Sequence, residues 1–299
     1  ATNENRGQIL GIYMLINVGG SAGGQLLANL GDANGFTMFI FSSVLLSLAI
    51  VPMTLSASAN PPVPTTSSMP FWELYRLVPS AVVGTTFASF VQAAMSSMAM
   101  VFAIEAGMST GKATVFVGAG LTGAIFLQIP LGRLSDRFPR RIIILFCIFI
   151  SATIAGAQSL LSDSNDLHIF LNFLFGAFVF PLYGLFAALA NDWIPSEKRI
   201  SASSTLVLAS SSGAVVAPIV LGFLLGNFAP SSYFLANATV LTVIGVYISY
   251  RTRVREAVPV EKQSPFIPLV ARSGQIAHSL GRWIRNPLAV WPKEKSDQE

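Results

Sequence analysis

The chain has 299 residues, 53% of them apolar and only 11% charged, with a formal net charge of +4. So few ionic groups cannot coat a water-soluble protein of this size, and the basic face interleaved with aromatics that nucleic-acid binding needs is absent outside the C-terminal tail. The single cysteine, Cys147, excludes a disulfide framework, and two histidines far apart, His168 and His278, give no metal site.

The pattern predicts an all-α, polytopic membrane bundle of about eight transmembrane helices. Apolar stretches without charge in their cores run over residues 9–30, 36–55, 77–104, 113–131, 142–161, 167–190, 200–224 and 232–250. Each supplies roughly the 20 residues with which a helix crosses ~30 Å of hydrocarbon. Backbone amides find no water there, so they must be satisfied within the segment.

The first stretch carries Asn17, Gln25 and a run of small residues around Gly20. The third carries Gln92, the fourth Gln128, the sixth Asn172 and Tyr183, and the eighth Asn237. A polar side chain within lipid needs an internal partner or a wet cavity. Most act as interhelical glue. Asn17 and Gln92 lie nearest mid-span, and with Gln25, Asn172, Phe180 and Tyr183 they form the candidate solute pathway. Pro181 and Pro218 remove backbone hydrogen bonds within the sixth and seventh stretches. With Gly20 they are candidate hinges, static bends being the plain alternative.

The connections alternate in charge. Of the Lys and Arg residues, all but Lys112 fall on one set: Arg6, Arg76, the group Arg133, Arg137, Arg140 and Arg141, the pair Lys198 and Arg199, and the tail from Arg251 to Lys295. The positive-inside rule then puts both ends of this chain in the cytoplasm, which an even number of spans also requires. Residues 56–70 hold Pro61, Pro62, Pro64 and Pro70 among Ser and Thr, the composition of an extended linker. The chain therefore divides into a two-helix segment at 1–55, a cytoplasmic linker at 56–75, a six-helix unit at 76–250 and a basic tail at 251–299. In the tail, Val270, Ile276, Leu280 and Ile284 fall near helical spacing with Trp283 and Trp291 close by. This fits a helix lying on the inner membrane face, or a disordered tail.

The first two spans look like a copy of the last two. Glu4, Arg6, Leu15 and Gly20 recur in register as Glu197, Arg199, Leu208 and Gly213, as in carriers built from parallel repeats.

Between the fourth and fifth spans stand Gly132, Leu134, Asp136 and Arg137, then Pro139 and the pair Arg140 and Arg141. This run resembles the signature of the major facilitator superfamily, found between the second and third helices of each six-helix half. Here it occupies that place in the 76–250 unit. The family pattern usually has a glycine where Pro139 stands, and a proline is comfortable at the first position of a helix, so Pro139 is expected to start the fifth span. Physically, Gly132 permits close helix approach. Asp136 is an anion at the membrane face that can pair with Arg137 or Arg140, or sit against a helix N-terminus. Gly132, Leu134, Asp136, Arg137, Arg140 and Arg141 are thus a candidate conformational latch, with Asp192 at the end of span six as its partner. A topogenic basic cluster, and a solvated helix cap at Asp192, are the simpler readings.

The resemblance implies a secondary active transporter, monomeric and without cofactor or metal, moving a small solute across a bilayer by alternating access, in a bacterial inner membrane. It implies that 1–55 are the last two helices of an N-terminal half, with four helices upstream, and that 76–250 are a complete C-terminal half. The glycine run at 19–24 is similar to the Gly-Pro-x-x-Gly-Gly motif of the family's antiporters, with Gly20 in place of the proline, and favours efflux. A coupled proton or ion would need a carboxylate in the pathway. No span carries one at its centre, which leaves the upstream helices or an inward movement of Glu105 or Asp192. The alternative from a different class is a non-transporting membrane sensor or scaffold. Enzyme signatures are missing: the serine runs have no histidine base nearby, and no glycine-rich loop ends in Lys-Ser or Lys-Thr.

Overall fold

The computed structural model describes residues 36–54, 69–161, 165–195 and 198–254, with the isolated positions 16, 20, 24, 259 and 263. Among the described residues the regular structure is helical throughout. The helices are α1 (Thr37–Thr54), α2 (Phe71–Leu77), α3 (Pro79–Glu105), α4 (Thr110–Arg137), α5 (Arg140–Leu160), α6 (Asn165–Trp193), α7 (Arg199–Asn227) and α8 (Ser232–Val254).

Helices α3 to α8 are long and apolar enough to cross a membrane, and they coincide with the third to eighth predicted spans. α1 contributes a shorter apolar stretch, Phe39–Val51, and every side chain described in it is exposed, Phe39 and Leu46 among them. The first predicted span lies outside the described residues except for Ile16, Gly20 and Gly24, which are helical. The helix expected in the tail, and most of the 56–70 linker, also lie outside them.

Two local features differ from expectation. α4 continues through Gly132 to Arg137, so the signature is mostly helix and only Phe138 and Pro139 separate α4 from α5. Nothing between Gly132 and Arg137 interrupts the hydrogen-bond ladder, and the Phe138 amide still donates to the Leu134 carbonyl at 3.1 Å. Pro139 is the N-cap of α5 rather than its first residue, a place Arg140 takes. The second difference is α2, which lies partly in the expected linker. Leu74, fully buried, seats it in a cluster with Val78, Val82, Ile194 and Leu206, and the Thr205 hydroxyl ties the preceding stretch of chain through the Met69 carbonyl at 2.6 Å.

α3 is interrupted by a π-helical turn, Ala94–Met98, which inserts a residue into the α ladder. Its hydroxyls compensate: Ser96 and Ser97 both donate to the Ala93 carbonyl, at 3.3 and 2.6 Å. Past its C-cap Ala106 the chain turns at Gly107, whose φ of 79° puts it in the left-handed region. That conformation lets the Met108 amide reach back to the Ala103 carbonyl at 2.9 Å.

α6 is the hub. Of its apolar window 78% is buried, against 33% for α7 and for α8, and it packs on α3, α4 and α5. Its closest crossing is with α4, where a Cβ on Gly123 would overlap the Phe173 carbonyl and one on Gly176 would overlap the Gly120 carbonyl. Small residues let the two backbones touch. α7 lies against α3, where the Thr86 hydroxyl donates to the Ala209 carbonyl at 3.1 Å, and α8 lies against α5. At the end remote from the arginines, Phe102, Phe116, Tyr233 and Phe234 form a buried aromatic cluster, with Phe102 and Phe234 centroids 4.8 Å apart.

Candidate functional site: an arginine held between two carboxylates

The short turn after α4 brings the ends of three helices together at the cation-rich face. Asp136 lies in the last turn of α4, Arg140 opens α5, and Asp192 lies one residue before the end of α6. Arg140 Nη1 donates to both Asp192 carboxylate oxygens at 2.7 Å, and Nη2 donates to Asp136 Oδ1 at 3.1 Å. The Arg140 and Asp192 side chains are each 1% exposed, whereas Asp136 is 36% exposed.

Each of these charges stands at the helix end its sign disfavours. Partial positive charge gathers at helix N-termini and partial negative charge at C-termini. Here a guanidinium sits at an N-terminus and two carboxylates sit in the C-terminal turns of α4 and α6. Mutual pairing offsets the cost of placing Arg140 and Asp192 out of water, since an unpaired buried ion costs about 3–5 kcal/mol. Nearby, Arg199 donates from Nε to the Ile194 carbonyl at 3.2 Å and from Nη2 to the Asn191 carbonyl at 3.0 Å, satisfying α6's terminal carbonyls with a cation of the favoured sign.

The other signature residues fall around this network. Gly132 and Arg141 are buried, Leu134 is at the surface, and Arg137 is exposed. Arg137 is no match for Asp136, because adjacent helical residues point about 100° apart. Arg140 reaches it across the turn instead.

A second polar group lies at mid-span. Gln92, buried in α3 just before the π turn, donates from Nε2 to the Phe180 carbonyl at 3.1 Å and the Val179 carbonyl at 3.4 Å. It thereby grips α6 directly before Pro181, where the ladder lacks a donor. Phe180 is half-buried, and Tyr183, buried one turn on, meets the Ser210 hydroxyl of α7. Ser96 and Ser97 are exposed on the π turn itself. Asn172 is more than two turns away along α6, buried, and donates to the Phe116 carbonyl at 2.8 Å. Gln92, Phe180, Pro181 and Tyr183 are therefore brought together, while Asn172 joins α4 to α6 by itself. Pro218 lies inside α7, Gly20 is an isolated described position with open space around it, and Asn17 and Gln25 lie outside the described residues.

Sequence reasoning missed the π turn with its serines, and Pro130 inside α4. Pro130 was visible, two residues after Gln128. A π turn has no comparable signal in composition.

The sequence profile described as Major Facilitator Superfamily matches residues 81–292. The uncharacterized MFS-type transporter YcaD of Escherichia coli O17:K52:H18 is 23% identical over 241 residues, an alignment covering 80% of this chain and 62% of the relative. Its namesake from Escherichia coli O9:H4 aligns with the same identity and coverage. The chain thus spans less than two thirds of the length of these curated relatives. The profile match runs through α3 to α8 and includes the paired charges at the α4–α5 turn, and on that extent the chain belongs to the Major Facilitator Superfamily.

Proposed function

We propose that this chain forms part of a secondary carrier of the facilitator type, moving a small solute across a bacterial inner membrane by alternating access, with both its ends in the cytoplasm. On this reading residues 76–250 are one six-helix half and 1–55 belong to the other. The Asp136, Arg140 and Asp192 network holds the cytoplasmic ends of α4, α5 and α6 together in one conformation and loosens in the other.

The supporting observation is the placement of Arg140. Three charges at disfavoured helix ends, two of them nearly sealed from solvent, are weak evidence of a device for stability, because buried ion pairs gain little over apolar packing. They suit a contact that must be specific and breakable. The exposed Ser96 and Ser97 on the π turn, one turn beyond Gln92, give the half a polar mid-membrane surface. It suits a neutral or amphipathic solute, and the glycine run at 19–24 favours efflux over uptake. The carrier is monomeric, and any coupled proton uses a carboxylate on helices outside this chain, unless Glu105 or Asp192 moves into the pathway.

The test is accessibility. With Cys147→Ser as background and Ser97→Cys as reporter, a membrane-impermeant maleimide applied from either side reads which way the mid-span surface opens. Asp192→Asn should shift labelling toward the cytoplasmic side. Unchanged labelling from both sides in Asp192→Asn and Asp136→Asn would refute the latch.

A further inference from the structure

On the carrier reading just given, we propose that the solute is an amphipathic aromatic amine whose N–H groups donate to the hydroxyl oxygens of Ser96 and Ser97 on the open side of α3. α3 packs against α6, α7 and α8, and the side left over carries Ser97, Val101 and Ile104, all exposed and in one stripe at helical spacing. Ser96 is exposed beside Ser97, and Met98 and Met100 follow, half-buried.

The hydrogens of these serines are already committed. Ser97 Oγ donates to the Ala93 carbonyl at 2.6 Å, and Ser96 Oγ donates to the same carbonyl at 3.3 Å. A carbonyl can only accept, so each hydroxyl turns lone pairs outward. Neighbouring polar groups are spent the same way. Thr122 of α4 donates to the Gly118 carbonyl at 2.8 Å, Ser211 and Ser212 of α7 donate to the Val207 and Ala209 carbonyls at 2.8 and 2.6 Å, and Gln92 gives its amide nitrogen to α6. The one charged residue of α3 is Glu105, exposed at its far end, and its sign favours a donor as well. Lys112, the cation nearest to it in sequence, is paired with Asp166 at 3.1 Å.

A solute that reaches this face gives up water, and each of its polar groups must find a partner there. Carboxylates and phosphates bring lone pairs to lone pairs and are rejected. A compact ammonium is strongly hydrated and needs a counter-charge beside it, which the serine face does not hold. An N–H on a conjugated ring, neutral or with its charge spread over the ring, loses less water and finds two acceptors. The ring itself lies on the thioethers of Met98 and Met100 and on Val101.

The experiment is equilibrium dialysis of the purified protein in detergent, with micelles alone as blank, against three acridines. Proflavine carries amino groups, acridine orange is the same delocalised cation with those groups methylated, and acridine-9-carboxylate reverses the charge. Wild-type protein should bind proflavine saturably, and about ten-fold more tightly than the carboxylate. Ser96→Ala combined with Ser97→Ala should lower proflavine affinity about ten-fold, the effect of two ordinary hydrogen bonds, and acridine orange affinity by less than about two-fold. Ser97→Thr, which keeps a hydroxyl, should retain proflavine binding. Equal losses for proflavine and acridine orange, carboxylate binding as tight as proflavine, or no saturable proflavine binding would each overturn the assignment. The maleimide labelling shift of Asp192→Asn needs no solute, so the carrier reading stands or falls apart from this result.

Discussion

Arg140 Nη1 lies 2.7 Å from both carboxylate oxygens of Asp192 although the two residues belong to different helices, and both side chains are 1% exposed. Removing one partner leaves the other buried and charged, which costs about 3–5 kcal/mol. Asp192→Ala should therefore lower the unfolding midpoint in detergent sharply, and Arg140→Gln should too. The two together should cost less than the sum of the singles, and additive losses would argue that the pair is uncoupled.

Asp136 accepts from the same arginine, but it is 36% exposed and its bond is longer, at 3.1 Å. Asp136→Asn should change stability by no more than about 1 kcal/mol, solvent screening taking the rest. Transport should respond far more. On the proposed export reading, extrusion of an amphipathic probe such as ethidium by cells carrying the protein should fall while membrane insertion is unchanged. Unaltered extrusion would remove Asp136 from the latch.

Helix contact at Gly123 and Gly176 is backbone on backbone. Gly123→Ala or Gly176→Ala should force α4 and α6 apart and destabilise by about 1–3 kcal/mol, the usual range for overpacking. Gly156, where a Cβ would have nothing within 4 Å of it, is the control: alanine there should be neutral or gain up to ~1 kcal/mol from helix propensity. Unfolding curves of the three variants decide the matter.

The bond from Gln92 to the Phe180 carbonyl, 3.1 Å long, should contribute modestly, ~0.6–2 kcal/mol as for other polar contacts between spans. Gln92→Leu should cost that amount, and Pro181→Ala should restore a ladder donor to α6. If the Pro181 position is part of a gate, Pro181→Ala reduces flux more than stability. Equal losses in both would mark it as a static feature.

The spans were legible because lipid imposes one strong rule, long uncharged stretches, and α3 to α8 obey it. Their ends were not. Helical hydrogen bonding runs past the apolar core into charged residues, so α4 reached Arg137 where hydrophobicity stops at residue 131. Asp136, Arg140 and Asp192 could be named from the signature and from charge at span ends, but the choice of Arg140 over Arg137 depends on the geometry of a two-residue turn. α2 was hidden because its seven residues hold a single buried anchor, Leu74. The π turn was hidden because Ala, Met and Ser read as ordinary helix.

The glycine crossing has a mechanical consequence for the charges at the far end of the same two helices. With α4 and α6 locked backbone to backbone, Asp136 and Asp192 ride on one chassis, while the guanidinium comes from α5, which packs on both α6 and α8. If the network is the proposed latch, unlatching within this half would withdraw α5's first turn from a two-pronged socket, with Phe138 and Pro139 as the pivot.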